Sequence, residues 1–342
     1  MTRSDRRGRG SGRAALAVMA VGIVIGVGGC VDSPATDTAV QRGDLAYAAG
    51  DLDNALAEYR LAARDTRAPA EVLARVAHVH AIEGDVDEAA AFYRRAVAAD
   101  SSWATQAVAD LMTLAERAHA SNDRFRMASA VDAAREIEPG LGLERLALPL
   151  ARHHFNNGEY GRALPLYQRA LSAGADSAPE IVFEIGRAHE AIGDCNRALF
   201  FFEQFRGAVR SRDRGEVDWF IGTCSFEVAR GLRGAEVVTE ETLLDALAAV
   251  DRTIAVGEPR SLLGRAWFER GEILVDLGRC EEAIESFRTV GTVDGTVADA
   301  LVTRAQERMD DLRFRSDVMR RDVPGRGLPW GDETRRLDRD GC

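Results

Sequence analysis

One arithmetic pattern recurs through this 342-residue chain and decides most of what it can fold into. A small residue is followed seven positions later by a glycine, twelve later by an alanine and sixteen later by an aromatic. Gly43, Gly50, Ala55 and Tyr59 fit. So do Ala77, Gly84, Ala89 and Tyr93; Ala151, Gly158, Ala163 and Tyr167; Gly186, Gly193, Ala198 and Phe202; and Gly271, Gly278, Ala283 and Phe287. Five copies at fixed offsets mark a repeat architecture. Each copy reads as a helix, a tight turn and a second helix. The glycine closes the first helix, because it adopts the left-handed conformation that a helix end commonly needs. An acid follows it in four copies (Asp51, Asp85, Glu159, Asp194), suited to cap the second helix. The alanine and the aromatic stand four apart and share a face, while the small residue lets the two helices approach.

Composition fits close helix packing. Hydrophobic residues are 46% of the chain and aromatics only 6%, so the core is built mainly from Ala, Leu and Val, and Ala has the highest helix propensity. Two further units are weaker. Ala115, Asn122, Met127 and Val131 form one, closed by Pro139; Gly222 begins the other. The second helix of that unit is expected late, around residues 240–254, after a loop lengthened by about twelve residues. Pro165 is expected to be tolerated early in its helix, and Pro149 predicts a kink or a late start. Val297, Leu301, Ala305, Met309 and Leu312 then form one apolar stripe, predicting a helix over 296–316 that covers the open end of the stack. Residues 317–342, with Pro324, Gly325, Gly327 and Pro329, read as a disordered tail.

These residues resemble the tetratricopeptide repeat, a 34-residue helix-turn-helix unit; the first two copies are 34 residues apart, and Trp267 stands where that family often places a tryptophan. The resemblance covers roughly residues 36–295. It implies an all-α solenoid of about seven hairpins plus a capping helix. It also implies a concave groove lined by first-helix positions lying three before, one after and four after the small residue. Here those include Val40, Asp44, Tyr47, Leu148, Arg152, Phe155, Phe183, Arg187, Glu190, Trp219, Thr223, Phe226, Phe268, Glu272 and Val275. Tyr47, Arg152, Phe155, Phe183, Arg187, Trp219, Phe226 and Phe268 are the expected partner-binding residues, aromatic and Arg side chains being the types that dominate binding hot spots.

The N-terminus reads as a targeting segment. Residues 1–13 hold five arginines against one acid, and Ala14 to Gly29 is an uncharged, largely apolar run ending in Val27, Gly28 and Gly29 before Cys30. A basic start, a short apolar stretch and small residues before a cut site describe a secretory signal over 1–29; the run is short for a spanning helix, although an uncleaved anchor remains the alternative. Small residues before a cysteine resemble the lipobox of bacterial lipoproteins, which implies a lipidated Cys30, a tether over 30–35 and a membrane-anchored protein on the periplasmic or outer-membrane side of a bacterial envelope. Diacylation gives stable attachment where a single chain is marginal.

Little points to chemistry. The array contains no Walker loop, no His-Glu-x-x-His and no Cys-x-x-Cys, so no catalytic residue, metal or cofactor is expected. His80, His154 and His189 each lie three residues after the small residue of a first helix and read as packing rings. An acidic balance, with net charge −11, argues against nucleic acid, which needs a basic face. Cys195 and Cys224 fall on helices that pack together in the repeat family, so they either form a disulfide, which export permits, or remain two buried thiols. Cys280 and Cys342 have no obvious partner in the sequence. The reading is a lipid-anchored envelope scaffold that binds protein or peptide partners without catalysis. An accessory subunit of an envelope enzyme and a binder of an envelope glycan are the alternatives.

Overall fold

A computed structural model describes residues 34–64, 67–174, 178–293 and 297–321. Among them lie fifteen α-helices and no strand. Antiparallel pairs follow one another along the chain: α1 (Pro34–Ala48) with α2 (Leu52–Ala62), α3 (Ala70–Glu83) with α4 (Val86–Ala99), α5 (Ala104–Ala120) with α6 (Arg124–Ile137) and α7 (Ala147–Asn156) with α8 (Tyr160–Ser172). The series continues with α9 (Ala178–Ala191) and α10 (Cys195–Ala208), α11 (Gly215–Arg233) and α12 (Glu240–Val256), and α13 (Arg260–Asp276) and α14 (Cys280–Val290), with α15 (Asp299–Arg321) packed on the last pair. Seven hairpins and a closing helix therefore make one all-α stack.

The repeated residues explain the hairpin. Gly50, Gly84, Gly158, Gly193 and Gly278 all adopt positive φ, between 72° and 89°, and Asn122 takes the same place in the third hairpin with φ 60°. A residue with a Cβ pays for that conformation, which is why glycine dominates there and asparagine is the tolerated exception. Behind the turn, the side chains of Asp51, Asp85, Asp123 and Asp194 accept a backbone N–H three residues on and so cap α2, α4, α6 and α10. Glu159 does not cap α8; one methylene longer, it accepts instead from the His154 ring at 2.6 Å. The aromatics Tyr59, Tyr93, Tyr167, Phe202 and Phe287 are at most 3% exposed. Each small residue is the floor for such a ring: a Cβ on Gly43, Gly186 or Gly271 would stand 2.5–2.6 Å from the ring of Tyr59, Phe202 or Phe287.

Several local expectations are corrected. The extra residues of the sixth hairpin lengthen its helices more than its loop, because α11 continues through Gly231 to Arg233 and only residues 234–239 connect it to α12. Thr239 and Thr242 then close a capping box at the start of α12. With no aromatic sixteen residues on, Gly222 instead packs against the backbone carbonyl of Glu258 and its own carbonyl accepts from Thr253 at 3.0 Å. The late start expected at Pro149 is found: α7 begins after a 3-10 turn over Glu144–Leu146, which leaves Pro149 in its first turn, where no N–H is needed. Pro165 is the sixth residue of α8, one turn further in than expected. The last helix runs to Arg321, beyond the predicted end at 316.

Helix α3 packs directly on α5, and α11 on α13. An open cleft lies between α5, α7 and α9. The core falls into three parts: one apolar cluster runs from Ala39 to Ile185, a small one joins Ala198 to Cys224, and a third runs from Phe226 to Leu312.

Candidate binding cleft

The cleft has a volume of about 710 Å3 and opens between the third, fourth and fifth hairpins. Its apolar walls are Leu148 and Phe155 on α7 and Phe183 on α9; Tyr167, on α8, forms part of its lining. Four of the expected partner-binding residues meet here: Arg152, Phe155, Phe183 and Arg187. The reason is register. Each lies three before, one after or four after the small residue of its helix, hence on the face turned away from the partner helix.

Arginines dominate the charge. Arg124, Arg145, Arg152 and Arg187 all face the cleft, with Glu184 as the one carboxylate among its lining residues. Arg152 is already engaged, its Nε lying 3.0 Å from both oxygens of Glu184, and that bonding holds the guanidinium in its charged form. Arg124, Arg145 and Arg187 have no ion-pair partner among the described residues, although most arginines elsewhere on the stack are paired. Arg187 is held flat, its guanidinium 5.6 Å from the Phe155 ring and 5.2 Å from the Phe220 ring. Its Nε is buried without a hydrogen-bond partner among the described residues. Burial first, and then the charge of the Glu184 carboxylate and a hydrogen bond to it, push the Tyr167 hydroxyl well above its ordinary pKa, so it stays a donor.

The remaining expected groove residues are placed differently. Tyr47 is 37% exposed and borders a second, smaller pocket of about 250 Å3 with Trp103, Asp44, Arg75 and His78. There a hydrogen-bonded chain crosses three hairpins: Tyr47 meets His78 at 2.9 Å, and the other nitrogen of that ring meets Asp110 at 2.7 Å. Trp219 is 43% exposed and stands edge-on to Phe220. Phe226 and Phe268 are not groove residues. They are 2% and 8% exposed, buried in the third core cluster, with Arg265 lying over the first ring and Arg304 of α15 over the second. Arginines two helices along the chain cover them, and no spacing within one hairpin reveals that.

Sequence reasoning missed Arg124 and Arg145, which lie outside the first-helix register, on α6 and in the turn before α7. The buried imidazoles do pack as rings: His80 stacks on Phe92 and His189 on Phe201. Cys195, the first residue of α10, is bonded to Cys224 near the middle of α11, their Cα atoms 5.1 Å apart. Cys280 is disulfide-bonded as well. The described residues hold no grouping of three His, Cys, Asp or Glu suited to a metal ion, and no helix among them is long and apolar enough to cross a membrane. Residues 1–33 and 322–342 lie outside the described residues, and with them the lipidation at Cys30, the signal, the tether up to Ser33 and most of the tail.

The tetratricopeptide-repeat family pattern matches residues 40–102, 148–210 and 243–290, together just over half of the chain. The chain belongs to the tetratricopeptide-repeat family. Similar solved structures include YrrB, a TPR protein with an unusual peptide-binding site (15% identity over 63% of this chain and 97% of that one, TM-score 0.33). Another is the complex of the TPR2AB domain of yeast Sti1 with pHSP90 (14% identity, 82% and 98% coverage, TM-score 0.31). A third is a tetratricopeptide repeat protein from Parabacteroides merdae (12% identity, 82% and 100% coverage, TM-score 0.29). No curated protein matches the chain. Tetratricopeptide proteins commonly hold protein or peptide partners and are typically non-catalytic scaffolds.

Proposed function

We propose that this tetratricopeptide protein is a lipid-anchored scaffold of a bacterial cell envelope, which binds a peptide segment of a partner protein on its concave face and performs no chemistry. The observation that carries the reading is the cleft between α5, α7 and α9, where apolar rings stand beside arginines that the chain itself leaves unneutralised. Arg187 and Phe183 supply the charge and the apolar contact; Trp219 extends the surface toward the sixth hairpin. Arg152 acts through Glu184 by fixing the wall of the cleft. The basic, apolar N-terminus ending at Cys30 supports the anchor and the exported location.

The test is the double change Arg152→Glu and Arg187→Glu, with circular dichroism to verify intact helicity. Crosslinked envelopes are then searched for captured partners. The folded variant is expected to lose the partners that the wild type holds; capture of the same set by both proteins refutes the concave-face reading. A glycan partner is favoured by one specific feature, the pocket in which Tyr47 and Trp103 flank the polar groups of Asp44, Arg75 and Gln106. Capture of glycan rather than peptide, abolished by Tyr47→Ala, would replace the peptide reading by that one.

A further inference from the structure

A second groove is walled by second helices rather than by the first helices that line the concave face. Helix α10 stands on one side and α12 on the other, with the C-terminal half of α11 as the floor. Its volume is about 780 Å3. Leu199 and Phe200 share one face of α10, Ala248 and Ala249 one face of α12, and Val228 and Leu232 lie four apart on α11, so the surface between the walls is apolar. At one end Glu203 and Arg252 pair across the groove at 3.6 Å. At the other, where α10 and α12 begin, Asn196 and Asp245 form the lining. The Cys195–Cys224 bond fixes the α10 wall to α11 beside Asn196. Phe200 is 68% exposed, edge-on to Phe201, and the apolar surface continues at Val237 and Leu244, which are 76% and 47% exposed. A continuous exposed apolar patch of this kind marks an interaction site.

The end where α12 begins is acidic. Glu236 lies in the connection before α12, and Glu240, Glu241 and Asp245 lie in the first two turns of that helix. None of the four has an ion-pair partner among the described residues. The helix N-terminus accommodates Glu240 and Glu241. It does not account for Asp245, which follows Glu241 by four positions, a spacing at which like charges repel. We propose that this groove docks a basic amphipathic helix of a partner protein. Its apolar side chains lie between α10 and α12, and its Arg or Lys side chains meet Asp245, Glu241 and Glu236. From Asn196 to Glu203 helix α10 rises about 10 Å, so two turns of a partner helix fill the groove and a third carries cations past its acidic end. The unpaired carboxylates repel an acidic segment. A symmetric contact with a second copy of this chain would set them against themselves. The site is separate from the concave cleft and does not depend on what that cleft holds.

The experiment is fluorescence anisotropy on the full chain in phosphatidylcholine nanodiscs, with empty discs as the blank. The probe is a fluorescein-labelled helical peptide of about three to four turns, with leucines along one face and arginines flanking them. The control has the same composition rearranged so that the leucines are spread around the helix. The amphipathic probe should bind at least tenfold more tightly than the control, weaken as salt rises and slow hydrogen exchange in α10 and α12. Phe200→Asp and Ala248→Arg should each weaken it at least tenfold. Both positions are exposed, so circular dichroism should show intact helicity, and if one variant fails to fold the other decides. Glu241→Gln with Asp245→Asn should weaken it about three- to tenfold and flatten the salt dependence. Equal binding of the control, or wild-type affinity in a folded groove variant, overturns the proposal. So does at least tenfold tighter binding after deletion of residues 322–342, which would make the chain's own tail the occupant. Sedimentation showing a dimer that Phe200→Asp dissolves would make it a second copy. The concave-face reading fails separately: the Arg152→Glu, Arg187→Glu variant should bind this probe like the wild type, and loss of the probe in that variant alone overturns the assignment to α10 and α12.

Discussion

The bridge between Cys195 and Cys224 joins α10 to α11 at the point where one apolar cluster ends and the next begins. Hairpins in a stack hold one another mainly through their neighbours, so a covalent link at this seam ties the fifth hairpin to the sixth through the small cluster that stands between the two large ones. The two cysteines are 29 residues apart in sequence. Closing a loop of that size in the unfolded chain accounts for about 3–4 kcal/mol on the chain-entropy view. The resulting shift in melting temperature depends on how much of the stack unfolds together. With an unfolding entropy of about 2 cal/mol/K per residue, removing the bridge lowers the midpoint by roughly 6 °C if the whole array melts as one, and by roughly 20 °C if α9 to α12 melt as a unit of their own. The Cys195→Ala, Cys224→Ala double variant is the right perturbation, because a reductant would also open the Cys280 bond. Calorimetry gives the shift, and hydrogen exchange resolved to α10 and α11 shows whether protection falls there first. An unchanged midpoint with unchanged exchange refutes the seam argument. Free Cys195 and Cys224 thiols in protein taken from an oxidising compartment refute the bridge itself.

Other outcomes follow from single features. Ala198 is fully buried where α10 meets its neighbours, so Ala198→Trp should cost about 1–3 kcal/mol or more by overpacking; limited proteolysis should open α9 to α11 first, and uniform loss along the chain would argue against separable hairpins. Burial holds the imidazoles of His80 and His189 below their usual pKa, with Asp85 and Asp194 respectively pulling the other way. The folded chain therefore binds fewer protons than the unfolded one once pH falls below about 6.5, and stability should be complete above that pH and decline as it drops. His189→Phe, which keeps a ring on Phe201, should flatten that decline in denaturant titrations between about pH 7 and 5; an unchanged slope would show that this imidazole is not responsible. Cys30→Ser should release the protein from membranes or leave a precursor uncleaved, and normal processing with continued attachment would point to a plain membrane-spanning anchor.

How far the sequence reached is clear from particular residues. The seven-residue step from a small residue to a glycine was legible because it answers to local demands: the turn needs a left-handed residue, and Gly50, Gly84, Gly158, Gly193, Gly278 and even Asn122 supply it. The sixteen-residue step to an aromatic was legible because ring and floor lie within one hairpin, as with Gly186 and Phe202. Phe226 and Phe268 were misplaced because what covers them, Arg265 and Arg304, comes from two helices along the chain. Glu159 was read as a cap when its extra methylene carries it to His154.

The sequence by itself thus determined the all-α hairpin, its turn chemistry and the number of hairpins, since each rests on φ, helix period and packing over fewer than twenty residues. Only the tertiary structure decided the site. Whether an arginine on the inner face is neutralised depends on what the next hairpin presents to it, and hairpins are joined side by side through non-local contacts that leave no spacing rule. Arg152 meets Glu184 across that boundary, 32 residues away in the chain, while Arg187 meets two phenylalanine rings instead. The cleft is a property of the stack, because its lining comes from three hairpins and no hairpin taken alone contains it.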